Sequence, residues 1–401
     1  MRIFKIKSDH RFLGMIMVAL CSLFTMSRVE SAQTWTQTSA PTNNWTCIAS
    51  SADGNKLVAS GFRLTIPIYM SADGGETWAV TSAPSNSWSS VASSADGNKL
   101  VAVQYDGGGL YGIYTSTNAG ATWTTNIAPQ AGWTSVASSA DGNKLVAVNN
   151  SPETICTSTN GGIVWTQATS APAAIWRSVA SSADGEKLVA VNSFPGTIYT
   201  STNGGAVWVR ATNAPSANWT CVASSADGNK LVAVVNGGNV YSSKDSGNTW
   251  ATNNLPLNDS WYACASSADG TKLVVVSQKA GIYSSLDSGA NWISNDAPHL
   301  IWQAVASSAD GNRLAAVAWN GGIWTAQTTP TLQMNITPTN GDLALSWIVP
   351  STNFVLQQNL DLTTTNWVTL TNTPTLNLVN LQNQIILSPS NSSDFYRLAT
   401  P

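Results

Sequence analysis

Side chains that could bind a ligand or move a proton are few in this sequence, and most stand in loops between short apolar runs. Aromatic rings beside polar groups suit sugars or peptide surfaces, because the rings supply apolar area and the polar groups fix orientation. The variable loop positions that combine these types are Arg63, Tyr105, Asp106, Glu153, Arg177, Phe194, Tyr262 and Trp319. We take this set as the candidate ligand-binding residues.

Three carboxylates keep an enzymatic alternative open. Asp106, Glu153 and Asp259 could supply the pair of a glycoside hydrolase, in which the carboxyl groups lie about 5–5.5 Å apart in retaining enzymes and about 6.5–9.5 Å apart in inverting ones. The chain has two histidines, His10 and His299, so a histidine metal site or a Ser-His-Asp triad is poorly supplied. No catalytic set, metal or cofactor is predicted, and a binding protein is favoured over an enzyme.

An internal repeat predicts the strands and turns that position these residues. The string Ser-Ser-Ala-Asp-Gly occurs seven times with a period of 41 to 45 residues. A tryptophan stands eight residues before each Asp of the string: Trp45, Trp88, Trp133, Trp176, Trp219, Trp261 and Trp302. Each unit holds four short strand-forming runs separated by turns, which is typical of the blades of a β-propeller. We expect the repeated tryptophans to pack between blades.

Six turns between the third and fourth runs share a second pattern, Ser-x-Asp-x-Gly-x-Thr-Trp in its fullest form. The acidic or amide residue of this turn is Asp73, Asn118, Asn160, Asn203, Asp245 or Asp287. The pattern resembles the Asp-box, or BNR repeat, of sialidase-like propellers. That resemblance implies a structural role, in which the side chain accepts hydrogen bonds from the N–H groups of its own turn.

In blade number the chain resembles the seven-bladed Asp-box propellers, which include photosystem assembly factors of the Ycf48 and Hcf136 type and the xyloglucanases. The resemblance implies a fold and transfers no activity. Sialidases have six blades and a clamp of three arginines, the assembly factors use arginine-rich patches, and xyloglucanases use a cleft between two propellers. This chain is poor in arginine and has one set of repeats.

The repeat also predicts how a ring would close. The seventh unit lacks its fourth run, and the N-terminal segment at Thr34–Gln37 resembles that run in the other units. We therefore predict an all-β chain with a seven-bladed β-propeller over residues 33–328, closed by the N-terminal strand, since closure removes exposed sheet edges. Residues 331–401 alternate apolar and polar side chains, which predicts a small β-sandwich-like module of the fibronectin-III type.

Residues 1–32 have the composition of a secretory signal peptide, with a basic start, an apolar stretch and small residues near the expected cleavage site. This predicts a secreted or cell-envelope protein with no integral membrane segment after the signal is removed. Charged residues make up 10% of the chain and the net charge is −3. Nucleic acid is not an expected partner, because no cluster of lysine and arginine is present. The expected partner is a protein or a glycan.

Four cysteines lie in the repeat: Cys47, Cys156, Cys221 and Cys264. Cys47 and Cys221 stand at equivalent positions in units one and five, too far apart on a ring for the Cα separation of about 6 Å that a disulfide needs. Cys264 stands one position later in its unit, so its side chain is expected to face the other way. All four are expected to be free thiols.

Overall fold

A computed structural model of the chain describes its β-structure in detail. The described residues are 4–6 (backbone only), 33–62, 66–105, 112–126, 128–129, 131–151, 154–253, 255, 259–328, 334–339, 342–350, 354–361, 363–388 and 394–399. The chain divides into two compact units, residues 32–329 with 378–381, and residues 1–31 with 330–377 and 382–401.

Every regular element among the described residues is a β-strand, and the repeat forms antiparallel four-stranded sheets. We number these sheets 1 to 7 and give the strands of each from first to fourth. Sheets 1 and 2 comprise Trp45–Ser50, Leu57–Gly61, Tyr69–Ser71 and Ala79–Val80, then Trp88–Ser93, Leu100–Gln104, Ile113–Ser116 and Thr124–Asn126. Sheets 3 and 4 comprise Trp133–Ser138, Leu145–Asn149, Ile155–Ser158 and Thr166–Gln167, then Ile175–Ser181, Leu188–Phe194, Ile198–Ser201 and Val209–Arg210.

Sheets 5 and 6 comprise Trp219–Ser224, Leu231–Gly238, Val240–Ser243 and Ala251–Thr252, then Asp259–Ser266, Leu273–Ser277, Gly281–Ser285 and Ile293–Ser294. Sheet 7 comprises Trp302–Ser307, Arg313–Ala318, Ile323–Gln327 and Thr36–Gln37. A short ladder between the second strand of sheet 5 and the first strand of sheet 6 joins these two sheets.

The turn between the first and second strands folds by the same local chemistry in each repeat. In sheet 1, Asp53 Oδ1 accepts hydrogen bonds from Ser51 Oγ at 2.6 Å and from the Asn55 N–H at 3.0 Å. Gly54 has a φ of +72°, a conformation that glycine adopts without steric cost. The Ser-Ser-Ala-Asp-Gly string is therefore a self-contained turn.

Hydrogen bonds between these turns run from each sheet to the next. The alanine N–H of one turn donates to the alanine carbonyl of the following turn, in the order Ala52, Ala95, Ala140, Ala183, Ala226, Ala268 and Ala309. The last bond returns from Ala309 N to Ala52 O at 2.7 Å. A second circuit is made by the Lys or Arg side chain after each of these turns, which donates to the next turn. In six sheets the acceptor is a side chain and in sheet 5 it is the Asp269 carbonyl, and the circuit returns to sheet 1 where Arg313 donates to Asn55. Both circuits of contacts therefore end where they begin.

The core of this unit lies between neighbouring sheets. Trp133 and Val136 of sheet 3, for example, pack with Val101 and Val103 of sheet 2. All seven repeated tryptophans have 0% of their surface exposed, which confirms that they belong to the core. Their apolar burial is the main force that holds one sheet against the next.

The N-terminal segment supplies the outer strand of sheet 7. Gln37 pairs with Trp324 and Thr36 with Thr325 in antiparallel register. The preceding Trp35 is 5% exposed, and its ring centroid lies 6.2 Å from that of Trp302. The first described segment of this unit therefore contributes to the same sheet as its last repeat.

The second unit contains two further four-stranded sheets. One comprises Asn335–Thr339, Asp342–Ile348, Gln382–Leu387 and Thr375–Asn377, and the other Phe4–Ile6, Asp394–Ala399, Val355–Asn359 and Val368–Thr369. Their shared core contains Leu345, Trp347, Leu356 and Tyr396. Of the predicted signal peptide, only the backbone of Phe4–Ile6 lies within the described residues.

Candidate functional site

The two edges of the repeat sheets differ in sequence. The turn face carries the Asp-Gly turns and the turns between third and fourth strands. The variable face carries the loops between second and third strands and the linkers before the first strands. Each repeated tryptophan pairs with the end of the second strand, as Trp88 does with Gln104, so first-strand starts and second-strand ends meet at the variable face.

On the turn face, the acidic or amide residues of the six turns between third and fourth strands, which we call the box residues, accept hydrogen bonds within their own turns. Asp73 accepts from Ser71 Oγ at 2.7 Å and from Thr77, by its N–H at 2.9 Å and its hydroxyl at 2.5 Å. The bonds from Thr77 lower the pKa of Asp73 to about 2. Corresponding bonds are made by Asn118, Asn160, Asn203, Asp245 and Asp287.

One variable-face position directly follows each repeated tryptophan. In sheets 1, 2, 3 and 5 its hydroxyl donates to the carbonyl of the next sheet's tryptophan, over 2.7 to 3.0 Å, from Thr46, Ser89, Thr134 and Thr220. In sheets 4, 6 and 7 the position holds Arg177, Tyr262 and Gln303. These three sheets have exchanged a small bridging hydroxyl for a large polar or aromatic side chain.

Arg177 and Tyr262 are close enough to interact electrostatically. Arg177 is exposed, and its Nε donates to Ser193 Oγ at 3.2 Å. Tyr262 is 37% exposed. Desolvation raises the pKa of Tyr262, and the positive charge of Arg177 opposes that rise. Together they offer a fixed cation and a neutral phenol, which can donate and accept hydrogen bonds.

A second variable-face position follows the point where the second strand pairs with the repeated tryptophan. From sheet 1 to sheet 7 it holds Phe62, Tyr105, Asn150, Ser193, Asn236, Gln278 and Trp319. The three aromatic residues fall in sheets 7, 1 and 2, which are consecutive because the turn of sheet 7 bonds to that of sheet 1. We call Trp319, Phe62 and Tyr105 the aromatic arc.

Two contacts order part of the aromatic arc. The ring centroids of Phe62 and Tyr105 lie 6.4 Å apart, and Asn150 Nδ2 donates to the Tyr105 hydroxyl at 3.2 Å. Tyr105 is 37% exposed, and Trp319 is half-buried. The arc thus presents partly exposed rings beside an amide.

The remaining candidate residues are separate from these two groups. Phe194 lies in the second strand of sheet 4 and is 71% exposed, whereas Arg63, Asp106 and Glu153 lie outside the described residues. Gln303 holds the position after the repeated tryptophan in sheet 7, but it is buried, with 7% of its surface exposed.

The carboxylates of the enzymatic alternative do not form a pair among the described residues. Asp259 is 7% exposed, and its Oδ1 accepts from Ser277 Oγ and from the Ser260 N–H, both at 2.6 Å. Through these bonds, Asp259 joins the start of the first strand of sheet 6 to the end of its second strand. In the part of the chain that the structure describes, no group of three or more metal-ligating side chains could hold a metal ion.

Comparison with solved structures gives several matches at low sequence identity. Ycf48 from Cyanidioschyzon merolae matches with a TM-score of 0.58 and 18% identity, over 74% of this chain and 99% of that one. The GH74 xyloglucanase from Xanthomonas campestris matches with a TM-score of 0.60 and 14% identity, over 79% of this chain and 59% of that one. The Swd1 β-propeller domain from Myceliophteria thermophila matches with a TM-score of 0.57 and 13% identity, over 72% of this chain and 98% of that one.

A structure of Ycf48 bound to D1 peptide also matches, with a TM-score of 0.55 and 17% identity, over 75% of this chain and 97% of that one. No protein-family model and no curated protein matches the sequence. At these identities the likeness shows the fold alone. The chain is an all-β protein with the fold of a β-propeller. Among the described residues, no helix is long and apolar enough to span a membrane.

Proposed function

We propose that this chain is a non-enzymatic binding or scaffold protein that holds a protein or glycan on the variable face of a closed seven-bladed propeller. The observation that carries the proposal is the exchange of bridging hydroxyls for Arg177 and Tyr262. A Thr or Ser at this position serves the ring itself, because its hydroxyl bonds to the next sheet. Arg177 and Tyr262 give up that bond, worth about 1 kcal/mol, and project polar groups from the same edge.

The chemistry of the face suits a ligand with both apolar and anionic or acceptor groups. The aromatic arc offers flat apolar area for a sugar ring or an apolar side chain. Arg177 offers donors in a planar fork that matches a carboxylate or a pair of hydroxyl oxygens. The D1 peptide bound to Ycf48 supports a peptide as one ligand class for this fold.

The proposal extends to the rest of the chain. The six box turns act as structural Asp-boxes, residues 1–32 act as a signal peptide for secretion or delivery to the cell envelope, and residues 331–401 form a β-sandwich module. The closed ring of hydrogen bonds and the pairing of Thr36–Gln37 with sheet 7 support seven blades and closure by the N-terminal strand. Nucleic acid is not proposed as a partner.

The test screens the purified chain against a printed glycan library and a peptide library, beside the variants Arg177→Thr and Tyr262→Thr. Threonine is the chain's own residue at this position in three other sheets, so the variants are expected to fold. The proposal predicts that the wild-type chain binds a subset of probes and that both variants lose at least tenfold in affinity for them. Equal binding by wild type and both variants would refute this site. Hydrolysis of a bound glycan would instead support the enzymatic alternative.

A further inference from the structure

A recurring contact joins the first strands of neighbouring sheets. The side chain two residues after a repeated tryptophan faces the next sheet and accepts a hydrogen bond from a backbone N–H there. The acceptor and donor pairs, at 3.2 to 3.3 Å, are Ser90 with Val136, Ser135 with Val179, and Ser178 with Val222. Between sheets 5 and 6 the acceptor is Cys221 and the donor is Cys264, at 3.4 Å.

The two cysteines therefore meet across the space between sheets 5 and 6. Cys221 Sγ lies 3.8 Å from the Cys264 carbonyl oxygen. Cys264 is 6% exposed, and its Sγ lies 3.6 Å from the carbonyl oxygen of Val232 in sheet 5. Both sulfur atoms thus point into the same narrow space, from opposite walls.

The side chain of Cys264 faces the other way from that of Cys221, as predicted. Within one sheet the two positions do face opposite sides, but the facing sides of adjacent sheets are packed against each other. Cys221 points from sheet 5 toward sheet 6, and Cys264 points from sheet 6 toward sheet 5, so the two side chains come together. All four cysteines of the repeat are free thiols in this structure.

The surroundings shift the pKa values of the two thiols in opposite directions. The Cys264 side chain lowers the pKa of Cys221 to about 7, against the opposing effect of desolvation. Desolvation raises the pKa of Cys264 well above its ordinary value. Of the two thiols, Cys221 therefore loses its proton more readily. A thiolate beside a protonated second thiol is the arrangement that thiol–disulfide exchange requires.

We infer that Cys221 and Cys264 form a modification site, at which a small-molecule disulfide converts the two thiols into a bond between sheets 5 and 6. The Cys221 thiolate attacks one sulfur of oxidised glutathione and releases one glutathione thiolate. Cys264 then loses its proton to solvent and attacks Cys221, which forms the Cys221–Cys264 disulfide and releases the second glutathione thiolate. The protein loses two electrons and two protons, and the oxidised glutathione becomes two reduced molecules.

The inference is independent of the ligand on the variable face. A covalent bond between consecutive sheets closes a loop of 43 residues, and such a bond stabilises mainly by restricting the unfolded chain. We therefore expect the oxidised protein to melt at a higher temperature than the reduced protein.

The test treats the folded full chain with oxidised glutathione, blocks free thiols and digests the protein with trypsin. The expected product links peptide 211–230, which contains Cys221, to peptide 245–272, which contains Cys264. Cys47 and Cys156 should be recovered as blocked thiols. Reduction should separate the linked peptides and lower Tm to the value of the untreated protein.

Two control variants use residues that the chain itself places at these positions. Cys221→Ser copies Ser178, and Cys264→Val copies Val222, so neither should disturb the packing. Both variants should lack the linked peptides and show no rise in Tm with oxidised glutathione. Recovery of Cys221 as a lasting mixed disulfide with glutathione, or of both cysteines as blocked thiols, would overturn the inference.

Discussion

At the scale of single residues, the residue after each repeated tryptophan makes different contacts in different sheets. Thr134 donates to the carbonyl of Trp176 at 3.0 Å, whereas Arg177 in the next sheet donates to Ser193 within its own sheet. Under the proposed function, the residue after each repeated tryptophan serves the contact between sheets in some sheets and ligand binding in others.

Replacing Arg177 with Thr should leave stability unchanged or raise it. The new hydroxyl can reach the Trp219 carbonyl as Thr134 reaches that of Trp176, and such a bond contributes about 1 kcal/mol. Chemical denaturation measures the free energy of unfolding. Arg177→Ala is the control, since it removes the same guanidinium without adding the bond. A loss of more than about 1 kcal/mol in the Thr variant would show that Arg177 is itself part of the scaffold.

The box residue Asp73 should tolerate Asn better than Ala. Asn keeps an acceptor for Ser71 and Thr77, as Asn118 does in sheet 2, whereas Ala removes it. Because the pKa of Asp73 is lowered to about 2 from 3.8, its ionised form stabilises the fold above the unfolded pKa, and this contribution is lost as the pH falls through 2. Thermal melts at several pH values should show the advantage of wild type over Asp73→Asn shrinking between pH 4 and pH 2. An advantage independent of pH would contradict this assignment.

At the scale of elements, neighbouring sheets differ in how well the space between them is filled on the turn face. Asn126, at the end of sheet 2, bonds to Thr115 at 3.0 Å and reaches Gly162 of sheet 3. The equivalent residue of sheet 3 is Ala168. A groove of about 440 Å³ lies between sheets 3 and 4, and Ala168 lines it.

Replacing Ala168 with Asn should fill part of this groove and stabilise the protein. The new amide can bond to Thr157 as Asn126 bonds to Thr115, and it adds packing between the sheets. We expect a rise in Tm of a few degrees by differential scanning calorimetry. Ala168→Leu adds volume without the hydrogen bond and should stabilise less. A fall in Tm for the Asn variant would mean that the groove between sheets 3 and 4 cannot accommodate the Asn side chain that sheet 2 has at the equivalent position.

The sequence predicted the strands and their order because each repeat carries its own register. A buried tryptophan, an Asp-Gly turn and an apolar run recur together, so the pattern of one unit supports the others. It did not predict that Cys221 and Cys264 meet, because that contact depends on which surfaces of two sheets face each other. Nor did it predict that the charge of Arg177 acts on Tyr262, since those residues belong to sheets 4 and 6 and the loops around them share no repeat.

At the scale of the whole molecule, the proposed function depends on closure of the repeat. Two circuits of hydrogen bonds pass through all seven turns and return to sheet 1, and the Ser-Ser-Ala segments of all seven sheets line one cavity. Closure gives every repeat sheet a neighbour on both sides, and it makes sheets 7, 1 and 2, which carry the aromatic arc, consecutive. We propose that the N-terminal strand closes the ring, and one truncation tests this.

Deleting residues 33–38 tests closure most directly. The deletion removes Trp35, which is 5% exposed and packs against Trp302. It also removes the strand that pairs with Ile323–Gln327. Trp35→Phe, which keeps an aromatic side chain and the strand, serves as the control. By calorimetry, we predict that the propeller of the control melts in one transition near the wild-type Tm, and that of the deletion variant at least 10 °C lower, since burial of a tryptophan side chain alone contributes about 3–5 kcal/mol. An unchanged Tm in the deletion variant would contradict a ring closed by its first strand.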